Sequence, residues 1–192
     1  MSLAEDLPLP APRFDSAAAF LDWAERRPER WELWDGAPRM MTGGTPNHAR
    51  LARNALTALT GRLGSGPCEA FGPDLAVILG PSRVVFPDAS VSCEPVGPAG
   101  MTQPVAIIEV LSPSTTAYDR GDKAAAYRRV PSLRHLVLVR QDRIGGEHFH
   151  RAAAGEDFTL TEIDRVDGVL RLAAAGVEVG LAELYARVQF GP

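Results

Sequence analysis

The chain has 192 residues, 45% of them hydrophobic and 23% charged, and a net charge of −4. Such values belong to an ordinary globular domain rather than to a disordered, collagen-like or coiled-coil chain, and a domain of this size folds without disulfides or metal, burying about 70% of its unfolded surface. No apolar run reaches the ~18 residues of a membrane span, and the acidic balance argues against nucleic-acid binding through bulk positive charge, though not against a local basic patch beside an acidic metal site.

Residues 1–13 are Pro-rich, carry acids where a signal peptide would be basic, and read as a flexible N-terminal arm before a single domain over 14–192. Cys68 and Cys93 match no zinc or redox spacing, which predicts reduced thiols in a cytoplasmic protein. Asp15 or Ser16 caps a helix to about Arg27, with Phe20, Leu21 and Ala24 inward and Pro28 as its stop. Trp31–Gly36 alternates and ends in Asp-Gly, a hairpin signal, with a return strand near Pro38–Thr42. Thr45 then caps a helix with Pro46 at its first position. Its apolar stripe is Leu51, Ala52, Ala55, Leu56, Leu59 and Leu63, extended one turn back by His48. Strands are predicted at Cys68–Leu79 and Arg83–Cys93. The run around Pro104–Leu111 reads as a strand buried on both faces. Ser112–Thr116 is a turn, Ala117–Val130 a helix, and Leu133–Arg140 and Gly146–Arg151 are strands. Weak strands at Phe158–Ile163 and Leu170–Leu172 and a terminal helix over Leu181–Val188 complete an α/β or α+β order.

Glu109 is a lone charge in the buried strand, which is costly unless it is paired or bound to a cation. Asp88 precedes it on a neighbouring strand, across a Pro- and Gly-rich loop over 94–103. Two such carboxylates brought together make a hard-oxygen site suited to Mg²⁺ or Mn²⁺. Lys123 stands out by composition. Of the 20 Lys and Arg residues it is the one lysine, against 19 arginines, which marks a position where a compact, movable point charge is wanted. Asp119, Lys123 and Tyr127 share a helix face that can point at the carboxylates. Carboxylates, metal and lysine together suit phosphodiester hydrolysis, the metal polarising phosphate and acidifying water, the lysine stabilising developing charge.

Several motifs resemble the Uma2 family of restriction-endonuclease-like proteins, within the PD-(D/E)xK nuclease superfamily. They are Pro87-Asp88, the run Ile108–Thr115, Asp119-Arg120, the run Lys123–Tyr127, and the earlier Trp31–Gly36 followed by His48. The resemblance runs from about residue 15 to the end and is most specific over 84–140. It implies a mixed central sheet flanked by helices, with Asp88 and Glu109 as the metal carboxylates, the Val110 carbonyl as a further ligand, and Glu32 as an additional glutamate near the metal. The superfamily lysine normally lies two residues after the glutamate, where this chain has Leu111; the resemblance suggests that Lys123 replaces it from the helix.

His48 is read as an acid, a base or a phosphate contact, or as the end of an apolar stripe, and Tyr127 as packing near the site. His135, His148 and His150 are read as sheet-surface residues. Arg120, Arg128, Arg129, Arg134, Arg140 and Arg143 cluster in sequence and could meet a phosphate backbone. The expectation is a Mg²⁺- or Mn²⁺-dependent endonuclease acting on nucleic acid, DNA first, as a homodimer away from membranes. The alternative is a catalytically inert binding or regulatory module that keeps the nuclease fold.

Overall fold

The first helix begins where Ser16 Oγ accepts a hydrogen bond from the Ala19 amide at 3.2 Å, and α1 runs Ala17–Glu25 in a computed structural model that describes residues 12–112 and 119–191. Most of the expected N-terminal arm, most of the Ser112–Thr116 turn and the start of the following helix lie outside the described residues. Strands β1 (Trp31–Trp34) and β2 (Ala37–Met40) form the expected hairpin. Asp35 and Gly36 both take positive φ, 47° and 79°, as its two-residue turn requires.

The next helix, α2 (Pro46–Leu63), starts as read: Thr45 Oγ1 accepts from the His48 amide at 3.1 Å. The expected strand Cys68–Leu79 is two strands, β3 (Glu69–Phe71) and β4 (Val77–Gly80), divided at Gly72-Pro73-Asp74. Arg83–Cys93 is likewise two, β5 (Arg83–Val85) and β6 (Ala89–Ser92), divided at Phe86-Pro87-Asp88. Proline cannot donate to a ladder, so each break lets the chain change sheets. Strands β4 and β5 join the hairpin in a four-stranded antiparallel sheet of order β2-β1-β5-β4.

The larger sheet has the order β10-β9-β8-β7-β6-β3. Strand β7 (Ala106–Leu111) is buried along its whole length, as expected, and is parallel to β8 (His135–Arg140); the sheet's other pairs are antiparallel. The connection between β7 and β8 includes a π-helical turn over Asp119–Lys123 and a short α3 (Ala124–Arg128). Strands β9 (Gly146–His150) and β10 (Thr159–Ile163) complete that sheet. A separate hairpin pairs β11 (Val169–Leu172) with β12 (Val177–Gly180), a strand not foreseen in Val177-Glu178-Val179, and the terminal helix α4 is one turn, Leu181–Leu184.

Alternation along β7 divides the core. Ala106, Ile108 and Val110 pack with α2 and the β11–β12 hairpin, whereas Ile107 and Leu111 pack with Tyr127 and Leu138 on the face that carries α3. Glu109, between Ile107 and Leu111, therefore faces α3.

Cys68 and Cys93 are disulfide-bonded, with Cα atoms 3.8 Å apart, which corrects the expectation of separate reduced thiols. The cause is register. Glu69 pairs with Ser92 and Ala70 with Val91 across β3 and β6, so the next position outward brings the two cysteines face to face. Among the described residues no helix is long and apolar enough to cross a membrane.

Candidate active site

The break at Phe86-Pro87-Asp88 sets Asp88 where the chain passes from the small sheet to the large one. Ala89 pairs with Ile108 across β6 and β7, so Asp88 comes opposite Glu109. The Val110 amide donates to Asp88 Oδ2 at 2.8 Å, and His48 Nε2, from the first turn of α2, lies 3.3 Å from the same oxygen. Thus the Val110 backbone, read as a carbonyl ligand, also holds Asp88 through its N–H.

Lys123 reaches over from the turn before α3. Its Nζ is 2.9 Å from Glu109 Oε1 and 3.0 Å from Glu32 Oε1. Glu32 arrives from β1 of the small sheet, held by the Phe86 amide at 3.2 Å and by Trp34 Nε1 at 3.3 Å. One turn beyond Lys123, the Tyr127 hydroxyl donates to Glu109 Oε1 at 2.6 Å. Lys123 and Tyr127 therefore share the face expected of them; the side chain of Asp119 lies outside the described residues.

All five candidate residues, Glu32, His48, Asp88, Glu109 and Lys123, line one cleft of about 320 Å³, as does Val110. The four charged groups are nearly closed off from solvent, at 5% exposure for Glu32, 9% for Asp88, 5% for Glu109 and 6% for Lys123. Three carboxylates face one ammonium, with His48 beside Asp88 and Arg39 lining the same cleft, so the carboxylates outnumber the permanent cations, Lys123 and Arg39. Charge buried in this way is unfavourable unless a further cation meets it.

Sequence reasoning missed other lining residues. Arg39 on β2 stands opposite Glu32 in the hairpin register and lines the cleft, together with Phe86, Ser112 and Gly44. One arginine among 19 carries no signal by composition. Gly44 is required by close approach, because a Cβ there would lie 2.9 Å from Cγ and Nδ1 of the His48 ring.

Of the arginines read as possible phosphate contacts, Arg129 lines a different pocket and four others have partners outside the cleft. Arg128 lies over the Phe149 ring, Arg134 caps the Pro131 and Ser132 carbonyls, Arg140 pairs with Glu147 and Glu162, and Arg143 pairs with Asp142. The side chain of Arg120 lies outside the described residues. The histidine reading also needs correction: His135 and His148 are buried, at 4% and 7% exposure, rather than on the sheet surface. The register sets His148 beside Val137 on β8, where the β11–β12 hairpin and its connecting turn cover the sheet.

Residues 17–182 match the family described as "Uma2: Putative restriction endonuclease". The chain belongs to the Uma2 family. Two uncharacterized Synechocystis sp. proteins are similar to it. One is 32% identical over 179 residues, covering 91% of this chain and 93% of that protein; the other is 29% identical over 154 residues, covering 77% and 86%. Among solved structures, a "putative nuclease belonging to DUF820" from Anabaena variabilis superposes with a TM-score of 0.69 at 15% identity, covering 91% of this chain and 99% of that one. At that identity the likeness shows a shared fold, so this Uma2 chain has the mixed α/β architecture of that structure.

Proposed function

We propose that this protein is a divalent-metal-dependent endonuclease that hydrolyses phosphodiester bonds of nucleic acid, DNA first, with residues 14–192 forming one domain on a PD-(D/E)xK core. One observation carries the reading. An ammonium and three carboxylates, delivered by separate elements, converge in one cleft with surplus negative charge.

Among the described residues no three His, Cys, Asp or Glu side chains form a ready-made metal cage. The donor chemistry nevertheless fits. Asp88 and Glu109 offer hard oxygens, and the charge surplus matches a Mg²⁺ or Mn²⁺ ion. Those two carboxylates would hold the ion, with the Val110 carbonyl as a further ligand. The bound ion would polarise the phosphate and acidify a water.

The protein's own groups supply the rest. Lys123 orients the attacking water through an N–H donor and stabilises charge that develops on the phosphoryl oxygens. Glu32 also holds that ammonium, at 3.0 Å, and would assist in holding the ion. His48 positions Asp88 and is of the right class to pass a proton to the leaving oxygen. Tyr127 holds Glu109 in one orientation. The amine thus comes from a helix, while Leu111, at the superfamily's usual lysine position, belongs to the core.

A cleavage assay on DNA and RNA, single- and double-stranded, tests the reading. Wild-type protein cuts with Mg²⁺ or Mn²⁺ and stops cutting with a chelator. Lys123→Ala loses about 10²-fold or more in rate; cutting at the wild-type rate removes Lys123 from the mechanism. Two copies, one site per strand, are part of the proposal, and light scattering that shows monomer alone contradicts that part. The buried Leu111 favours a second reading, an inert binding or regulatory module, which a folded wild type that binds no metal would support.

A further inference from the structure

Beside the cleft, and sharing the segment Met40–Gly44 with it, lies a larger groove of about 700 Å³. Cleft and groove share that segment together with His48, Phe86 and Asp88, so the two adjoin.

One wall of the groove is α2, where Ala49, Arg53 and Leu56 recur at helical spacing. The other wall carries Met40, which is 53% exposed, and Phe86. The Arg30 guanidinium sits over the Phe86 ring at 5.6 Å, held in place by the Pro73 carbonyl and by Asp74 at 3.7 Å. The groove therefore has an apolar floor with an aromatic member and bears two guanidinium groups, Arg30, paired with Asp74, and Arg53, beside the carboxylates of Glu29 and Asp88. Arg39 adds a third guanidinium at the cleft itself.

We propose that this groove seats an unpaired nucleotide next to the cleavage position, so that the protein acts on single-stranded or locally opened nucleic acid. The proposal rests on the nuclease reading and narrows its substrate. A base in a duplex keeps both faces stacked and shows only its edges, whereas an unpaired base can lay a face on an apolar or aromatic floor. The volume lies in the range of sites that enclose a small ligand. Guanidinium groups at the rim suit the phosphates on either side of the seated base. Stacking and backbone contact read no particular sequence, so the groove selects strand state rather than base order.

The test is fluorescence anisotropy with labelled single-stranded oligonucleotides and with the matching duplex, in calcium to hold turnover down. It compares the wild type with Ala49→Trp, which fills the groove from an exposed helix position, and with Arg53→Glu, which reverses a rim charge. Neither residue lines the cleft, and circular dichroism verifies that both variants fold. The expected result is that the wild type binds single strands about tenfold or more tighter than duplex, and that each variant loses about tenfold for single strands with little change for duplex. Equal binding of both forms, unchanged in the variants, overturns the groove assignment and leaves the nuclease reading standing. Binding of neither form by the wild type overturns both. If Ala49→Trp turns a dimer into a monomer by light scattering without weakening single-strand binding, the groove seats a second copy of the chain and the assignment fails.

Discussion

Glu32, Asp88, Glu109 and Lys123 meet where the two sheets adjoin; elsewhere His135 on β8, His148 on β9 and Tyr185, just past α4, are also buried. The two groups balance their polarity in different ways. In the second, both nitrogens of His135, Nε2 of His148 and the Tyr185 hydroxyl have local partners. The Ala174 amide donates to His135 Nε2 at 3.2 Å, so the proton of that ring is on Nδ1, 3.1 Å from His148 Nε2. The Tyr185 hydroxyl accepts from the Gly145 amide at 3.0 Å and donates toward the Arg140 and Gly145 carbonyls. Burial pushes Tyr185 up to about 12. Burial, with His150 and Arg134, pushes His135 down to about 4, and burial, with His135 and His150, pushes His148 down to about 3. These groups are held neutral and belong to the packing. The first group brings three carboxylates to one ammonium and opens into a cleft that His48 and Arg39 also line. Burial of polar side chains alone does not mark a site; unbalanced charge beside an open volume does.

The contrast leads to graded expectations for stability. The largest effect belongs to Lys123→Met in metal-free protein, which leaves Glu32 and Glu109 facing each other and lowers unfolding free energy by about 3–5 kcal/mol in urea titrations. Acidification acts next, on the neutral group. Both histidine pKa values lie below the ~6.5 of an unfolded histidine, so the unfolded chain binds more protons as pH falls. The contribution of the two rings is fully present above that value and is lost progressively toward pH 3, by on the order of 3 kcal/mol for each ring. Replacing His148 with Gln flattens this part of the pH–stability curve. Tyr127→Phe removes a hydrogen bond to a buried carboxylate and costs about 1.5–3 kcal/mol in the same urea titrations. The smallest effect has the opposite sign. Asp88→Asn relieves the surplus charge and keeps an oxygen for the Val110 amide, so the metal-free variant melts about 2–4 °C higher than the wild type, or about 1 kcal/mol. A lower melting temperature would mean that the carboxylates are already balanced.

Much of this organisation was legible in the sequence wherever the signal was local. The α2 boundaries follow from Thr45-Pro46 and a long apolar stripe, and β7 from an unbroken apolar run in which Glu109 has no structural excuse. Lys123 stood out against 19 arginines. What could not be read depends on distant pairing. The run Val84-Val85-Phe86 looks continuous with Ala89–Val91, and only the separate partners of β5 and β6 show that the chain changes sheets at Pro87. The cysteine pair depends on the register of β3 against β6. Arg39 enters the cleft only through the β1–β2 register. The burial of His135 depends on the turn between β11 and β12, whose Ala174 amide donates to its Nε2.

The account turns on whether the surplus charge in the cleft is a cation site. Calorimetric titration of Mn²⁺ into the wild type, Asp88→Asn and Glu109→Gln, with folding verified by circular dichroism, addresses it directly. The account predicts one bound ion per wild-type chain and loss of binding in both variants. Mn²⁺ bound equally well by all three proteins, or by none of them, contradicts it.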